Sequence, residues 1–281
     1  MAMVTGRRRN LGSALGTILA IVVLLGWSLL PIYWIAVTSL KGEREIYALT
    51  PTFIPAAPTW ANYATVLFKT RFPSFILNSV IVSVVATILS VVIGTLAAYA
   101  ITRMRFAGRA TVARAIVGAY LLPPALLFIP LFIVLQRLGL IDSIAGLALS
   151  YLTFTVPFAT WMLIGYIRTI PFELDEAARI DGAGRLQVLL RVLVPVALPG
   201  IAIVALFAFT QAWNEFLYAL VYVYSDSART LTSGLVGMMM GDVFIWGQLM
   251  AASMIAVAPV LAIYIVAQRY LVEGLASGGV K

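Results

Sequence analysis

Residues 72–102 read FPSFILNSVIVSVVATILSVVIGTLAAYAIT and lie between Arg71 and Arg103. No charged residue interrupts this run. A helix of about 20 apolar residues is long enough to cross roughly 30 Å of hydrocarbon. A transmembrane strand would instead alternate polar and apolar side chains over about 10 residues. The stretch therefore predicts a membrane-spanning α-helix.

Five further uncharged runs surround it, so the sequence predicts an all-α polytopic membrane protein with six transmembrane helices. Of the six runs, only the fifth in chain order carries an internal charge, Glu215. The predicted helices cover residues 11–40, 73–102, 115–136, 143–167, 196–225 and 243–268. The extramembrane segments are then residues 1–10, the loop 41–72, the loop 168–195 and the tail 271–281, with residues 73–270 forming the core of the protein.

Composition excludes several classes of protein. Apolar residues make up 62% of the chain and charged residues 11%, against about 45–50% and about 25% in soluble domains. The chain contains neither cysteine nor histidine. Disulfides are therefore impossible, and thiolate or imidazole metal sites and histidine-based acid–base chemistry are absent. These absences weigh against an intramembrane enzyme.

The basic residues indicate the orientation. The net charge is +8, and because the charges flank long apolar runs we interpret them as topogenic and not as a nucleic-acid site. One side would hold Arg7, Arg8, Arg9, Arg103, Arg105, Arg109, Arg114, Arg168, Arg179, Arg185, Arg191, Arg269 and Lys281. The other would hold Lys41, Arg44, Lys69, Arg71, Arg137 and Arg229. Since Lys and Arg concentrate on the cytoplasmic side, we expect both termini inside and the loop 41–72 outside.

The cytoplasmic loop 168–195 is longer than a connector needs. Helix–helix connections typically take about 2–8 residues. Pro171 is suited to the first turn of a helix, and Glu173, Asp175 and Glu176 would then face the positive end of its dipole. Asp175 and Arg179 are spaced to pair along the helix, and Gly182 is suited to a left-handed stop. A second helical stretch is expected from Arg185 to Pro195.

This loop also has the features of a docking element. Ala177, Ala178 and Gly182 are small, so another protein's surface could approach the backbone closely. The alternative is a short solvated helix that only joins two spans. The length of the loop and its restart after Gly182 favour docking.

The same residues resemble a known family. Glu176-Ala177-Ala178, then Gly182, then Val192-Leu193-Val194-Pro195 is similar to the EAA loop of binding-protein-dependent ABC importers. That pattern usually ends in Ile-x-Leu-Pro, and this chain has valine at both apolar places. The resemblance implies the type I ABC importer permease fold. It also implies that Glu173, Glu176, Ala177, Ala178, Asp181 and Gly182 couple to an ATPase subunit.

Other stretches resemble the smaller permease of maltose-type sugar importers. They are Asn78-Ser79, Ala98-Tyr99-Ala100 with Arg103, Phe106 and Gly108, Pro130-Leu131, Leu138-Gly139-Leu140, Trp213-Asn214-Glu215, and Gln268-Arg269-Tyr270 with Gly274-Leu275. The tail Ser277-Gly278-Gly279-Val280-Lys281 resembles the C-terminal signature of that branch, which implies contact with the ATPase.

The energy for transport would come from a partner. No Gly-x-x-x-x-Gly-Lys-Ser/Thr phosphate loop occurs in the chain, so we expect no cofactor here, with ATP and Mg²⁺ held by the ATPase. The resemblance implies a second, homologous permease, two ATPase subunits and an extracytoplasmic solute-binding protein. Membrane lipid would surround the spans, and no nucleic acid is expected.

Five polar or aromatic residues are candidates for the solute path: Asn78, Gln211, Trp213, Asn214 and Glu215. The indole of Trp213 could stack on a sugar ring. The alternative is a network that holds the helices together, and the sequence leaves both open. For Asn78 packing is favoured.

The sugar prediction has three alternatives. A permease of the same superfamily for glycerol phosphate or another small polar solute would keep the docking loop and change the pocket. A channel or secondary carrier would need no docking loop, and carriers often show repeated halves. An intramembrane enzyme would need nucleophile, base or metal residues that this chain lacks.

Overall fold

The structure is a computed structural model that describes residues 11–239 and 245–278, with only the backbone described for residues 11–14, 267 and 269–278. Within these residues the fold is all-helical. The helices are α1 (Leu11–Ser39), α2 (Glu43–Ile46), α3 (Ala61–Phe68), α4 (Phe72–Arg103), α5 (Arg109–Leu121), α6 (Phe128–Arg137), α7 (Ile144–Ile167), α8 (Glu173–Ile180), α9 (Arg185–Gln187), α10 (Val194–Trp213), α11 (Leu217–Tyr222), α12 (Leu231–Gly237) and α13 (Trp246–Gly278). A 3-10 turn covers Pro124–Leu126, and a π-helical segment covers Val188–Leu193.

Five helices in the described residues are long and apolar enough to cross a membrane. They are α1, α4, α7, the continuous stretch from α9 to α10, and α13. Each overlaps one of the runs identified in the sequence. The described part of α13 extends past the expected end at residue 268 to Gly278.

The third expected span differs from the prediction. In place of one helix over residues 115–136, α5 ends at Leu121 and α6 begins at Phe128. Pro123 and Pro124 have no backbone N–H to donate, and the ring of Pro124 keeps Pro123 out of the α region. Pro123 is accordingly extended, with φ −58° and ψ 125°. The proline pair therefore divides the segment in two.

The fifth expected span also differs. The helix begins at Arg185, not at residue 196, and continues through Pro195 to Trp213. It then breaks, and α11 restarts at Leu217. The separate second helix expected from Arg185 to Pro195 is therefore the first part of this long helix.

The chain divides into two compact units. The described part of the first contains residues 11–69 and 245–255. Within it, the side-chain amide of Asn62 links α3 to the end of α1, because its Nδ2 donates to the carbonyls of Ser39 and Lys41 at 2.9 Å each. Lys41 is only 3% exposed; its ammonium donates to the carbonyl of Thr52 and lies 5.0 Å from the ring centre of Trp34. These contacts order the loop that follows α1.

The second unit contains residues 70–239 and the described residues from 256 onward. Here α4 packs along α7, and α10 packs against both. Small residues allow close approach: a Cβ at Gly94 would lie 3.0 Å from that of Ala159, and one at Gly200 would lie 2.5 Å from the ring of Tyr166. A hydrogen bond of 2.6 Å joins the buried hydroxyls of Ser90 and Thr155. Small side chains and polar bridges are typical of helix packing in membranes.

Candidate docking and solute sites

The predicted docking segment forms a short helix with a left-handed stop. In α8, Glu173, Asp175 and Glu176 occupy the first turn. Gly182 follows with φ 85°, a conformation that costs an L-residue roughly 1–2 kcal/mol and costs glycine almost nothing. The N–H of Ala183 donates to the carbonyl of Ala178 at 3.0 Å, which closes the helix end. The glycine stop expected from the sequence is therefore present.

Most of the predicted coupling residues lie on one accessible surface. Glu173, Glu176, Ala177, Asp181 and Gly182 are exposed, and Ala178 is half-buried. Two apolar side chains are also exposed beside them: Leu174 is 40% exposed and Ile180 is 86% exposed. We call the exposed set the docking face: Glu173, Leu174, Glu176, Ala177, Ile180, Asp181 and Gly182. It is open to a partner.

The opposite face of α8 is held by Arg103, the last residue of α4. Its Nε lies 3.7 Å from Oδ2 of Asp175, and the two side chains are 7% and 4% exposed. The expected ion pair between Asp175 and Arg179 is thus not the one that forms. Arg103 takes its place because Asp175 points into the protein, whereas Arg179 remains exposed.

Arg103 also binds the backbone that leads into α8. Its terminal nitrogen Nη2 donates to the carbonyls of Ile167 and Ile170, at 3.2 and 2.7 Å. Its guanidinium carbon lies 5.3 Å from the ring centre of Phe172. One side chain of α4 therefore contacts the end of α7, the turn after it, and α8.

The ion pair itself is not a simple source of stability. Burial raises the pKa of the Asp175 carboxyl, and the opposing charges of Arg103 and Arg179 do not fully offset this. Asp175 Oδ1 and Arg103 Nε have no hydrogen-bond partner among the described residues. Buried ion pairs often contribute little net free energy of folding. The pair is therefore of interest because it sets the position of α8 relative to α4.

Among the solute-path candidates, Asn78 has a packing role. It is 6% exposed, and its Nδ2 donates to the carbonyls of Ser227 and Arg229, both at 2.9 Å. The adjacent Ser79 Oγ accepts from the N–H of Leu231 at 2.8 Å. These two residues of α4 attach the segment that leads into α12.

Trp213 is also buried, an environment that fits the packing alternative stated for it. It is 3% exposed, its indole N–H donates to the carbonyl of Ala256 at 3.2 Å, and its ring stacks on that of Phe209. In this conformation the indole holds α10 to α13. The described residues leave little of the indole surface accessible.

Glu215 closes the break between α10 and α11. Its carboxylate accepts the N–H of Tyr218 at 2.8 Å and that of Ala219 at 3.1 Å. The neighbouring Asn214 is exposed, and within the described part of the chain its side chain bonds to the carbonyl of Thr210 in its own helix. Gln211 is half-buried. Of the five candidates, Asn214 and Gln211 are the least committed to packing.

An exposed aromatic pair was not singled out from the sequence. The rings of Tyr120 in α5 and Trp161 in α7 stack at 5.2 Å with an interplanar angle of 15°, and their side chains are 36% and 41% exposed. Trp161 lines a cavity of about 410 Å³ together with Arg114 and Arg168. A tryptophan in an apolar span is the only sequence signal for it, and that signal is common in membrane proteins.

The predicted ATPase-contacting tail falls mostly outside the described residues. The backbone of Ser277 and Gly278 ends α13. Gly279, Val280 and Lys281 lie outside the described residues. Contact between this tail and an ATPase stays a prediction.

Comparisons with known proteins agree on one family. Residues 90–277 match the binding-protein-dependent transport system inner membrane component family. The inner membrane ABC transporter permease protein YcjP of Escherichia coli is 37% identical, over 96% of this chain and 97% of its own. The trehalose/maltose transport system permease protein MalG of Thermococcus litoralis is 33% identical, over 95% of each chain.

A solved structure has the same fold. It is a chain of a bacterial ABC transporter involved in the import of the acidic polysaccharide alginate, with a TM-score of 0.77. The match covers 96% of this chain and 99% of the other at 22% identity. At that identity the likeness establishes the fold alone.

Proposed function

This chain belongs to the binding-protein-dependent transport system inner membrane component family, and we propose that it forms half of a translocation pathway for a sugar or oligosaccharide. It is a multi-pass permease subunit of an ABC importer in the bacterial plasma membrane, and it has no catalytic activity of its own. The resemblance stated from the sequence is thereby confirmed. In the proposal, residues Glu173–Gly182 receive the motion of an ATPase subunit.

The docking face is the observation that carries the coupling proposal. A helix of eight residues presents acidic, small and apolar side chains outward, while its inner face is fixed by Arg103. A connector that served only to join α7 and α10 would not need an exposed Ile180 beside Gly182. A surface shaped to receive another protein accounts for both.

A sugar is the solute that the relatives favour. The permease MalG of Thermococcus litoralis is named for trehalose and maltose, and it aligns with this chain over nearly its whole length. The alternative is a permease for glycerol phosphate or another small polar solute, which would use the same docking face. In the proposal, residues along the solute path distinguish the two kinds of solute, and Asn214 and Gln211 are the candidates to compare.

The proposed assembly contains partners that supply energy and solute. A homologous second permease would complete the pathway, and two ATPase subunits would hold ATP and Mg²⁺. An extracytoplasmic binding protein would deliver the solute. Closure of the ATPases would displace α8, and the spans joined to it would alternate between outward and inward openings.

Co-purification followed by reconstitution tests the proposal. A tagged chain, expressed with the genes of its own transport system, should bring down an ATPase subunit. In proteoliposomes, ATP hydrolysis should then rise on addition of the binding protein with one member of a panel of sugars. Purification without any ATPase would refute the importer assignment. Stimulation by glycerol phosphate and by no sugar would favour the alternative solute.

The docking face can be tested in the same complex. Gly182→Leu adds bulk to the face and strain to the backbone, so solute uptake should be lost while the protein remains in the membrane. Leu186→Ala, at an exposed position beyond the docking face, serves as the control. Normal uptake by the Gly182 variant would count against the assigned face.

A further inference from the structure

We propose that Arg103 is a positioning residue that transmits the displacement of α8 directly to α4. This inference rests on the proposed coupling function and adds a second route for the motion. The chain itself connects α8 only to α7 on one side and to α9 on the other. Arg103 supplies a link to a helix that is distant in sequence.

The contacts of Arg103 join the end of α4 to the segment between α7 and α8. Its Nη2 donates to Ile170 and Ile167, while its Nε faces Asp175 on α8 itself. One guanidinium therefore makes two hydrogen bonds to the backbone between α7 and α8 and one ion pair, without a hydrogen bond, to α8 itself. The planar guanidinium orients these contacts relative to one another. A movement of the segment from Ile167 to Asp175 must therefore either carry Arg103 with it or break these contacts.

The side chain of Arg103 is largely buried, although it borders a cavity of about 330 Å³, and this burial limits its movement. Its side chain is 7% exposed, and the ring of Phe172 covers the guanidinium. Ile167 and Ile170 belong to a buried cluster that also contains residues of α4 and the π-helical segment. A long side chain in such a site has few alternative rotamers, so it can transmit a displacement without absorbing it.

The other end of α4 explains where the displacement would go. Asn78 and Ser79 bind the backbone of residues 227–231, and about 37 Å of helix separates Asn78 from Arg103 at about 1.5 Å per residue. The helix is continuous between them. Movement of α8 would therefore reach the segment before α12 through α4.

A paired substitution separates positioning from stability. Removing one partner of a buried ion pair leaves the other charge uncompensated, whereas removing both can be nearly neutral. The complex carrying Arg103→Gln or Asp175→Asn should assemble in reduced amount. The double variant Arg103→Gln/Asp175→Asn should recover that amount, because no unpaired charge remains.

The measurement is the number of solute molecules transported per ATP hydrolysed by the complete complex in proteoliposomes. We expect both Arg103→Gln and the double variant to lower this ratio about fivefold, in the range of known coupling effects. Arg105→Gln, which removes an equal charge at an exposed position two residues away, should leave the ratio unchanged. A double variant that assembles normally and keeps the wild-type ratio would overturn the proposal.

Arg103→Lys gives a second test if the double variant fails to assemble. Lysine keeps the charge that faces Asp175 but lacks the planar fork that also reaches the two carbonyls. A lowered transport ratio in this variant supports positioning, and a wild-type ratio refutes it. Failure of the coupling function would appear differently, because the unmodified chain would then purify without any ATPase.

Discussion

The backbone N–H of Asp142 donates to the carbonyl of Tyr222 at 2.8 Å, which joins the turn before α7 to the end of α11. The Asp142 carboxylate adds to this link by accepting the N–H of Tyr224 at 3.1 Å and that of Ser225 at 2.9 Å. Asp142 has φ 58°, the only positive φ of a non-glycine residue in the described chain. Three hydrogen bonds therefore offset the cost of the unfavourable backbone conformation at this residue.

This arrangement predicts a pH-dependent stability. Burial raises the pKa of the Asp142 carboxyl, but the hydrogen bonds from Ser225 and Tyr224 lower it by more, so it lies below its ordinary value of 3.8. A lowered native pKa stabilises the fold above the unfolded pKa, and the effect is lost as pH falls through the native value. Asn tolerates the positive φ, so Asp142→Asn should cost about 1 kcal/mol at pH 7 by weakening these bonds.

Thermal unfolding of the purified protein as a function of pH provides the measurement. The difference between the wild type and Asp142→Asn should shrink below pH 3.8. Glu43→Gln, an exposed exchange on α2, corrects for the change in net charge. A difference that stays constant across the whole pH range would contradict the role of the carboxylate.

Asn78 should prove to be a structural residue. Asn78→Ala leaves the carbonyls of Ser227 and Arg229 without their shared donor, and each unsatisfied buried group costs about 1–3 kcal/mol. The melting temperature should fall, and Asn78→Asp should lower it further because an acceptor would then face two acceptors. Ser74→Ala, which removes only a local bond at an exposed site, should have little effect. A change in solute KM without loss of stability would show that Asn78 belongs to the solute path.

Trp213 and Asn214 should separate stability from solute binding. Trp213→Phe removes the donor to Ala256, at a cost of about 1 kcal/mol, so the melting temperature should fall while the KM for uptake is retained. Asn214→Ala leaves stability nearly unchanged, and a raised KM in this variant would place its amide in the solute path. The result that contradicts the structure is a raised KM in Trp213→Phe with a normal melting temperature.

The glycine stop after α8 should be sensitive even to a methyl group. Gly182→Ala places a Cβ at φ 85°, where it meets no neighbour but strains the backbone by roughly 1–2 kcal/mol. Solute-stimulated ATP hydrolysis by the assembled complex should fall as the end of α8 rearranges. Gly184→Ala is the matched control, because Gly184 has an ordinary φ of −71°. Equal activities of the two variants would show that the left-handed turn is dispensable.

The features that could be predicted from the sequence are those that neighbouring residues determine. A long uncharged run specifies a helix in hydrocarbon because only a helix satisfies its own backbone there. The left-handed stop at Gly182 follows from the type of residue that such a stop requires. The helix Glu173–Ile180 could be located for the same reason, because the residues that start and stop it, Pro171 and Gly182, are close to it in sequence.

The remaining features depend on contacts between distant residues. Asn78 and Ser227 are 149 residues apart in sequence, and no local pattern indicates that they meet. Asp175 had a plausible partner one helical turn away in Arg179, yet the direction in which α8 faces the core pairs it with Arg103. The burial of Trp213 was likewise inaccessible, because it depends on how α13 packs against α10.

The π-helical segment Val188–Leu193 lies between the docking segment and the long helix α10. Each of its hydrogen bonds spans one more residue than in an α-helix. The segment therefore accommodates one residue more than an α-helix with the same number of turns. If it rewound to α geometry, everything before it would turn by about 100° and shift by about 1.5 Å relative to α10. A change in the winding of this segment would therefore convert a displacement of α8 along the helix axis into a rotation relative to α10.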